Sequence, residues 1–199
     1  MSVFVAFEGG DGCGKSTQAR RVASARDALF TFEPGDSLMG ADLRRWVLDA
    51  ATPMSPVTEA LLMLTDRSHH VRTLIEPALE AGRSVVSDRF AASSLAYQGY
   101  GRGVDLEELR AATDLAVGTC WPDLTVLLDI SLEVAVERRA LDHRDRFESA
   151  DAAFHERVRH GYLAMAAAEP SRWFVVDASL DVEQVARLVD ERLDELDWS

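Results

Sequence analysis

One octapeptide constrains the fold more than any other feature of the chain. Gly9-Gly10-Asp11-Gly12-Cys13-Gly14-Lys15-Ser16 fits the pattern G-x-x-x-x-G-K-[ST]. It follows an alternating apolar stretch, residues 3–8, that reads as a strand, and it opens a helical stretch, residues 15–27. Glycines let the backbone turn inward so that several N–H groups point at one phosphate, and the helix N-terminus adds positive potential. In that setting Lys15 reaches the β- and γ-phosphates and Ser16 ligates Mg²⁺. Average residue usage produces the four fixed positions by chance in roughly one chain in a hundred or fewer. The chain's 21 basic residues include a single lysine, and it falls on the required position. The expected phosphate contacts are Gly9, Gly10, Asp11, Gly12, Cys13, Gly14, Lys15, Ser16 and Thr17, with Cys13 read as a small filler.

The rest of the chain supports such a loop. Strand-like segments at 28–32, 84–88, 124–130 and 172–177 alternate with helical ones at 38–50, 57–81, 91–98, 106–118, 131–141, 151–168 and 181–196. Pro77 is expected to kink the long helix, which Ser55 or Thr58 caps and Gly82 ends. This alternation predicts one α/β domain over residues 1–199. It has a parallel sheet of about five strands between two helical layers, the three-layer P-loop NTPase fold. Ligands in such folds bind beyond the C-terminal strand ends.

Composition removes other classes. A length of 199 residues, 47% hydrophobic and 28% charged, suits one soluble domain with a substantial core. No apolar run is long enough for a membrane span, and the opening residues lack the pattern of a secretory leader, so the expected compartment is the cytoplasm. Two cysteines without metal-ligand spacing argue against a disulfide or zinc scaffold. A net charge of -13 disfavours nucleic acid as a partner but not a small anion held by clustered arginines.

Asp88-Arg89 ends the third strand. Asp88 is placed to hold the Mg²⁺ water shell and Arg89 to clamp an acceptor phosphate with two parallel hydrogen bonds; a surface ion pair is the alternative. The surrounding motifs carry a resemblance. Phe7-Glu8-Gly9, Glu33-Pro34-Gly35, Asp88-Arg89-Phe90, Ser93-Ser94-Leu95-Ala96-Tyr97-Gln98-Gly99, Arg102-Gly103, Pro122-Asp123-Leu124 and Asp145-Arg146-Phe147-Glu148 occur in this order. Over residues 3–179 this set resembles bacterial thymidylate kinases. The resemblance implies transfer of a phosphoryl group from ATP to dTMP, with Mg²⁺, by a homodimer. It implies that Arg89 and Arg44 hold the dTMP phosphate and that Asp11 and Glu33 lie near the sugar and phosphate. It also implies that Arg67, Ser93, Ser94 and Gln98 read thymine, while Tyr97 lies against the sugar and disfavours a 2′-hydroxyl. The phosphate loop holds no arginine, so the resemblance places the transition-state arginine among Arg138, Arg139, Arg144 and Arg146, around a lid at about 142–150.

Three features depart from the family pattern. Phe32 stands where an arginine is usual before Glu-Pro-Gly and Asp36-Ser37 replaces Gly-Thr after it, Met63 occupies the place of an aromatic ring stacked on thymine, and the segment between the first helix and the second strand is short. They keep another pyrimidine monophosphate open as acceptor. More distant alternatives are a nucleoside kinase, which needs a base such as Glu8 or Glu33, and a nucleotide-binding switch without acceptor-dependent turnover. His69 and His70 read as solvated or packing residues. The four tryptophans, Trp46, Trp121, Trp173 and Trp198, read as core or interface. Apolar stripes on helices 57–66 and 106–118 suit either a dimer face or the core.

Overall fold

The computed structural model describes residues 2–138, 146–147 and 150–198. Five parallel strands form one sheet in the order β2-β3-β1-β4-β5: β1 (Phe4–Glu8), β2 (Leu29–Phe32), β3 (Val85–Asp88), β4 (Leu124–Asp129) and β5 (Trp173–Asp177). β1 is central and buried along its whole length, which suits a near-continuous apolar run covered on both sides. Its side chains alternate between the layers. Val3, Val5 and Phe7 meet α1 (Lys15–Ala25) and α9 (Val182–Leu193), while Phe4 and Ala6 face the other core. Glu8 points the same way as Phe4 and Ala6, toward the helical layer that carries the acceptor motifs.

That second layer holds α2 (Leu38–Leu48), α3 (Pro56–His70), α4 (Glu76–Glu80), α5 (Ala91–Ser94), α6 (Leu106–Val117) and α8 (Ala152–Ala168). α7 (Leu132–Arg138) follows β4 and packs Ala135 against the α1–α9 core. Side-chain caps start several helices: Ser55 accepts from Thr58 N–H, and Asp105 accepts from Glu107 and Glu108 N–H. Of the two candidate caps for the long helix, Ser55 is the one used.

Two expected helices are subdivided. The segment 57–81 runs as α3, a π-helical turn over Val71–Ile75, and α4, with Pro77 in the first turn of α4. Proline has no N–H for the helical ladder and its ring crowds the preceding turn, and the widened turn accommodates both. The segment 91–98 is α5 followed by a second π-helical turn, Leu95–Gly101. The last expected helix before the lid, 131–141, is described as far as Arg138; of the lid, only Arg146, Phe147 and Ala150 are among the described residues. Trp121, Trp173 and Trp198 pack against cores, whereas Trp46 is exposed.

Candidate active site

The central strand ends where β1, β3 and β4 splay toward the loops that follow them. A cavity of about 700 Å³ opens there, lined by the phosphate loop, the β2–α2 turn, Asp88, Arg89, Met63 and the π-helical turn carrying Tyr97 and Gln98.

The loop is shaped by close approach. Gly9 has φ 139°, and a Cβ there would lie 2.4 Å from the Leu128 carbonyl oxygen, so only glycine fits. Lys15 is nearly buried, and its Nζ donates to the Gly10 carbonyl at 2.7 Å, which folds the ammonium back over the loop. Cys13 is buried in the α1–α9 core, the filler expected. Ser16 Oγ donates to Asp88 Oδ2 in a short hydrogen bond. Asp88 Oδ1 is buried and has no hydrogen-bond partner among the described residues. A hydroxyl beside a carboxylate with a spare oxygen is a donor set that suits a hard divalent cation.

Arg89 follows β3 with φ 71°, a left-handed conformation uncommon for a residue with a side chain. Its backbone N–H donates to the Phe7 carbonyl at 2.9 Å. Its guanidinium donates to Asp11 Oδ1 at 2.5 Å, to the Tyr97 hydroxyl at 3.2 Å and to Ser93 Oγ at 3.3 Å, and lies over the Tyr97 ring. Burial pushes the Tyr97 phenol well up, so it remains a neutral hydroxyl beside Arg89. Ser93 donates in turn to Glu8 Oε2 at 2.6 Å.

Glu8 also accepts from the Phe90 and Ser93 N–H groups and from Tyr162 Oη at 2.9 Å. Burial raises its pKa despite these donors. The wholly buried Glu8 does not line the cavity. Glu33 reaches the cavity edge, but Arg67 Nε at 2.8 Å and His70 Nδ1 at 2.9 Å engage its two oxygens. Burial would raise the Glu33 pKa; Arg67 and His70 outweigh burial and hold it below the usual range. Both carboxylates are committed to structural partners, so neither is free to act as the base a nucleoside kinase needs.

Arg44 lines the cavity, donates to the Pro34 carbonyl at 2.6 Å and lies over the Phe32 ring. Phe32, one of the departures, thus supports a cavity arginine. Gln98 is buried at the cavity wall. Its Nε2 donates to Glu59 Oε1 at 3.1 Å, and its Oε1 has no partner among the described residues. A carboxylate can only accept, so Glu59 fixes which way the amide faces and leaves Gln98 an acceptor.

Of the expected loop contacts, Gly9, Gly10 and Cys13 do not line the cavity, and four further expected residues lie elsewhere. Arg67 is fully buried behind the cavity and donates to Glu33, to Ser94 Oγ at 2.6 Å and to the Phe90 carbonyl at 2.9 Å. Ser94, its acceptor, is likewise fully buried, so this pair supports the wall rather than lining it. Arg138 donates to the Ala178 and Ser179 carbonyls after β5. Arg146 donates to the Val47, Asp49 and Thr52 carbonyls around the end of α2, because unpaired C-terminal carbonyls attract a guanidinium. Neither arginine lines the cavity in this arrangement. Arg139 and Arg144 lie outside the described residues. Tyr162, Glu59 and Phe32 were not singled out as site residues from sequence. Tyr162 and Glu59 come from helices with no motif of their own; the aromatic ring at 32 was legible only as a departure.

A family profile for thymidylate kinase matches residues 7–189. The thymidylate kinase of Symbiobacterium thermophilum is 46% identical over 203 residues, covering 97% of this chain and 95% of that protein. That of Thermomicrobium roseum is also 46% identical, covering 95% of this chain and 93% of its own length. The crystal structure of thymidylate kinase from Ehrlichia chaffeensis superposes with a TM-score of 0.80 at 29% identity, covering 97% of this chain and 98% of that one. On the strength of a match that runs through both the phosphate loop and the acceptor motifs, the chain belongs to the thymidylate kinase family.

Proposed function

We propose that the protein transfers the terminal phosphoryl group of ATP to dTMP, giving ADP and dTDP. The single observation that carries this reading is one continuous cavity lined by Lys15 and Ser16 of the phosphate loop and by Arg89, Arg44 and Tyr97 of the acceptor motifs. The acceptor is a phosphate anion near neutral pH, so no general base is required; positioning and charge neutralisation suffice. Loop N–H groups and Lys15 hold the donor phosphates. Arg89, held by Asp11 and Tyr97, and Arg44, held by Pro34, present guanidinium groups to the acceptor phosphate. Ser16 and Asp88 would hold Mg²⁺, which when bound neutralises charge on the donor phosphates.

In this reading Tyr97, at the cavity wall, disfavours a 2′-hydroxyl by its bulk, and Gln98 Oε1 accepts from the N3–H of thymine. Met63 lies at the cavity wall, where its thioether can rest on the base face. The protein acts as a homodimer in the cytoplasm in this reading. Val57 and Leu61 on α3, Leu115 on α6 and Trp46 on α2 are exposed on helices that pack side by side. Among the described residues no helix is long and apolar enough to cross a membrane.

Mg²⁺·ATP turnover with dTMP, dUMP, dCMP, UMP and thymidine tests the proposal. A strong preference for dTMP is expected. Preference for another monophosphate would move the acceptor assignment, and ATP binding with no acceptor-dependent turnover would defeat it.

A further inference from the structure

A buried histidine that phosphoryl transfer does not use lies behind the acceptor end of the cavity. His70 closes α3 and is fully buried. Its Nδ1 lies 2.9 Å from Glu33 Oε1, and its Nε2 lies 2.6 Å from Thr31 Oγ1. Thr31 Oγ1 is also 2.7 Å from Asp36 Oδ2. Asp36 is one of the family departures, so this chain of contacts belongs to this sequence in particular.

Counting hydrogens along the chain is restrictive. A hydroxyl carries one hydrogen, and an ionised carboxylate can only accept. Thr31 gives its hydrogen to Asp36, so its oxygen must accept from Nε2–H. Glu33 is already an ion-pair partner of Arg67, so it must accept from Nδ1–H. Both ring nitrogens therefore donate.

We propose that His70 is a positioning residue of the acceptor site, an imidazolium that ties the Glu33-Pro34-Gly35 turn to the end of α3 through two hydrogen bonds at once. The groups facing it are Glu33 and, through Thr31, Asp36 from the β2 side, with Arg67 and Asp66 from α3. Asp66 Oδ2 holds the same turn by accepting from Gly35 N–H at 3.0 Å. The turn in turn places Glu33 at the cavity edge and the Pro34 carbonyl under Arg44. A ring with one hydrogen can donate only once. Losing the proton therefore releases either Glu33 or Thr31 and loosens the turn. The consequence falls on the acceptor, not on ATP, because the phosphate loop shares none of these contacts.

Asp36 forces the second proton. An amide at position 36 can donate to Thr31, whose own hydrogen is then available to an unprotonated Nε2. This inference rests on the acceptor reading given above for its effect on turnover, but not for the proton count.

The test uses the full chain labelled with ¹⁵N-histidine, with His70 assigned among the five histidines by loss of its signals in His70→Gln. At neutral pH both His70 nitrogens are expected to show the shifts of protonated imidazolium nitrogens. In Asp36→Asn, at the same pH, the pattern of a ring with one N–H replaces them. His70→Gln should raise the dTMP KM about fivefold or more while kcat and the ATP KM stay within about twofold. A neutral-ring signature in the unaltered protein, or the same signature in the unaltered protein and in Asp36→Asn, overturns the proposal; so does an unchanged dTMP KM in a folded His70→Gln. Should that variant fail to fold, the Asp36→Asn spectra still decide. The shifts report the proton count whatever the acceptor is, so a failure of the acceptor reading shows separately, as absent dTMP turnover in the unaltered protein.

Discussion

Lys15, at the start of α1, and Arg89, just after β3, follow two neighbouring strands, β1 and β3, and face one cavity. Removing either should separate their duties. Lys15→Ala takes away the one ammonium on the donor phosphates and should lower kcat by about a hundredfold or more; near-normal turnover would defeat the phosphate-loop assignment. Glu59 never touches a nucleotide in this reading, yet it decides the base. It accepts from Gln98 Nε2 and so leaves Gln98 Oε1, buried at the cavity wall, as an acceptor without a partner among the described residues. Glu59→Gln can donate as well as accept, which frees the Gln98 amide to turn and offer its NH₂ to the N3 acceptor of cytosine. The dTMP over dCMP preference in kcat/KM should fall about tenfold, measured in the same acceptor panel; an unchanged ratio would show that Glu59 does not set the amide. Sequence made the cavity-facing groups legible because they lie in short motifs at strand ends. It left Glu59 and Tyr162 unread, because a helix residue aimed at a buried partner carries no local signature. It also misplaced Arg67: a motif names a residue type at a position but not whether its guanidinium ends in the cavity or, as here, behind it on Glu33, Ser94 and the Phe90 carbonyl.

At the scale of elements, α3 shows what periodicity conveys. Glu59, Met63, Arg67 and His70 follow at intervals of four, four and three and are all buried, so one face of one helix supplies the wall of the base site and its support. Apolar patterning alone hides this face, since three of the four are polar. The π-helical turn Leu95–Gly101 is the other element that shapes the wall, and nothing in its sequence announces the extra residue per turn. The end of this turn packs closely on α8. A Cβ on Gly101 would lie 2.6 Å from Phe154 and 2.9 Å from Val158, both buried on α8. Gly101→Ala should therefore push α8 from the turn and cost about 1–3 kcal/mol of stability, read from denaturant melts. Because Tyr97 and Gln98 ride on the same turn, the dTMP KM should rise while the ATP KM holds. A variant as stable as the parent, with unchanged dTMP KM, would show that the close approach is soft.

The whole molecule was the most legible level, because alternating strands and helices with a phosphate loop after the first strand leave few topologies, and the sheet order β2-β3-β1-β4-β5 puts that loop at the centre. What such a pattern cannot separate is an apolar stripe that meets the core from one that meets another chain, since both obey the same period. Here α3 divides: Ala60, Met63 and Leu64 are buried, whereas Val57 and Leu61, one turn apart, are both 56% exposed, and Leu115 on the adjoining α6 is 83% exposed. A two-fold interface over α2, α3 and α6 would bring this patch against its own copy, and a stable dimer of this kind buries about 1,200–2,000 Å². Two-fold symmetry doubles each change, so Leu61→Asp introduces two carboxylates into one apolar patch, and desolvating them without partners should outweigh what association gains. Sedimentation at micromolar concentration should show the parent as a dimer of about twice the 21.9 kDa chain and Leu61→Asp as a folded monomer. Leu115→Asp should act the same way, whereas Val175→Asp, at an exposed site on β5 away from these helices, should leave the dimer intact. A parent that sediments as a monomer, or a Leu61→Asp variant that stays dimeric, would remove this face from the assembly.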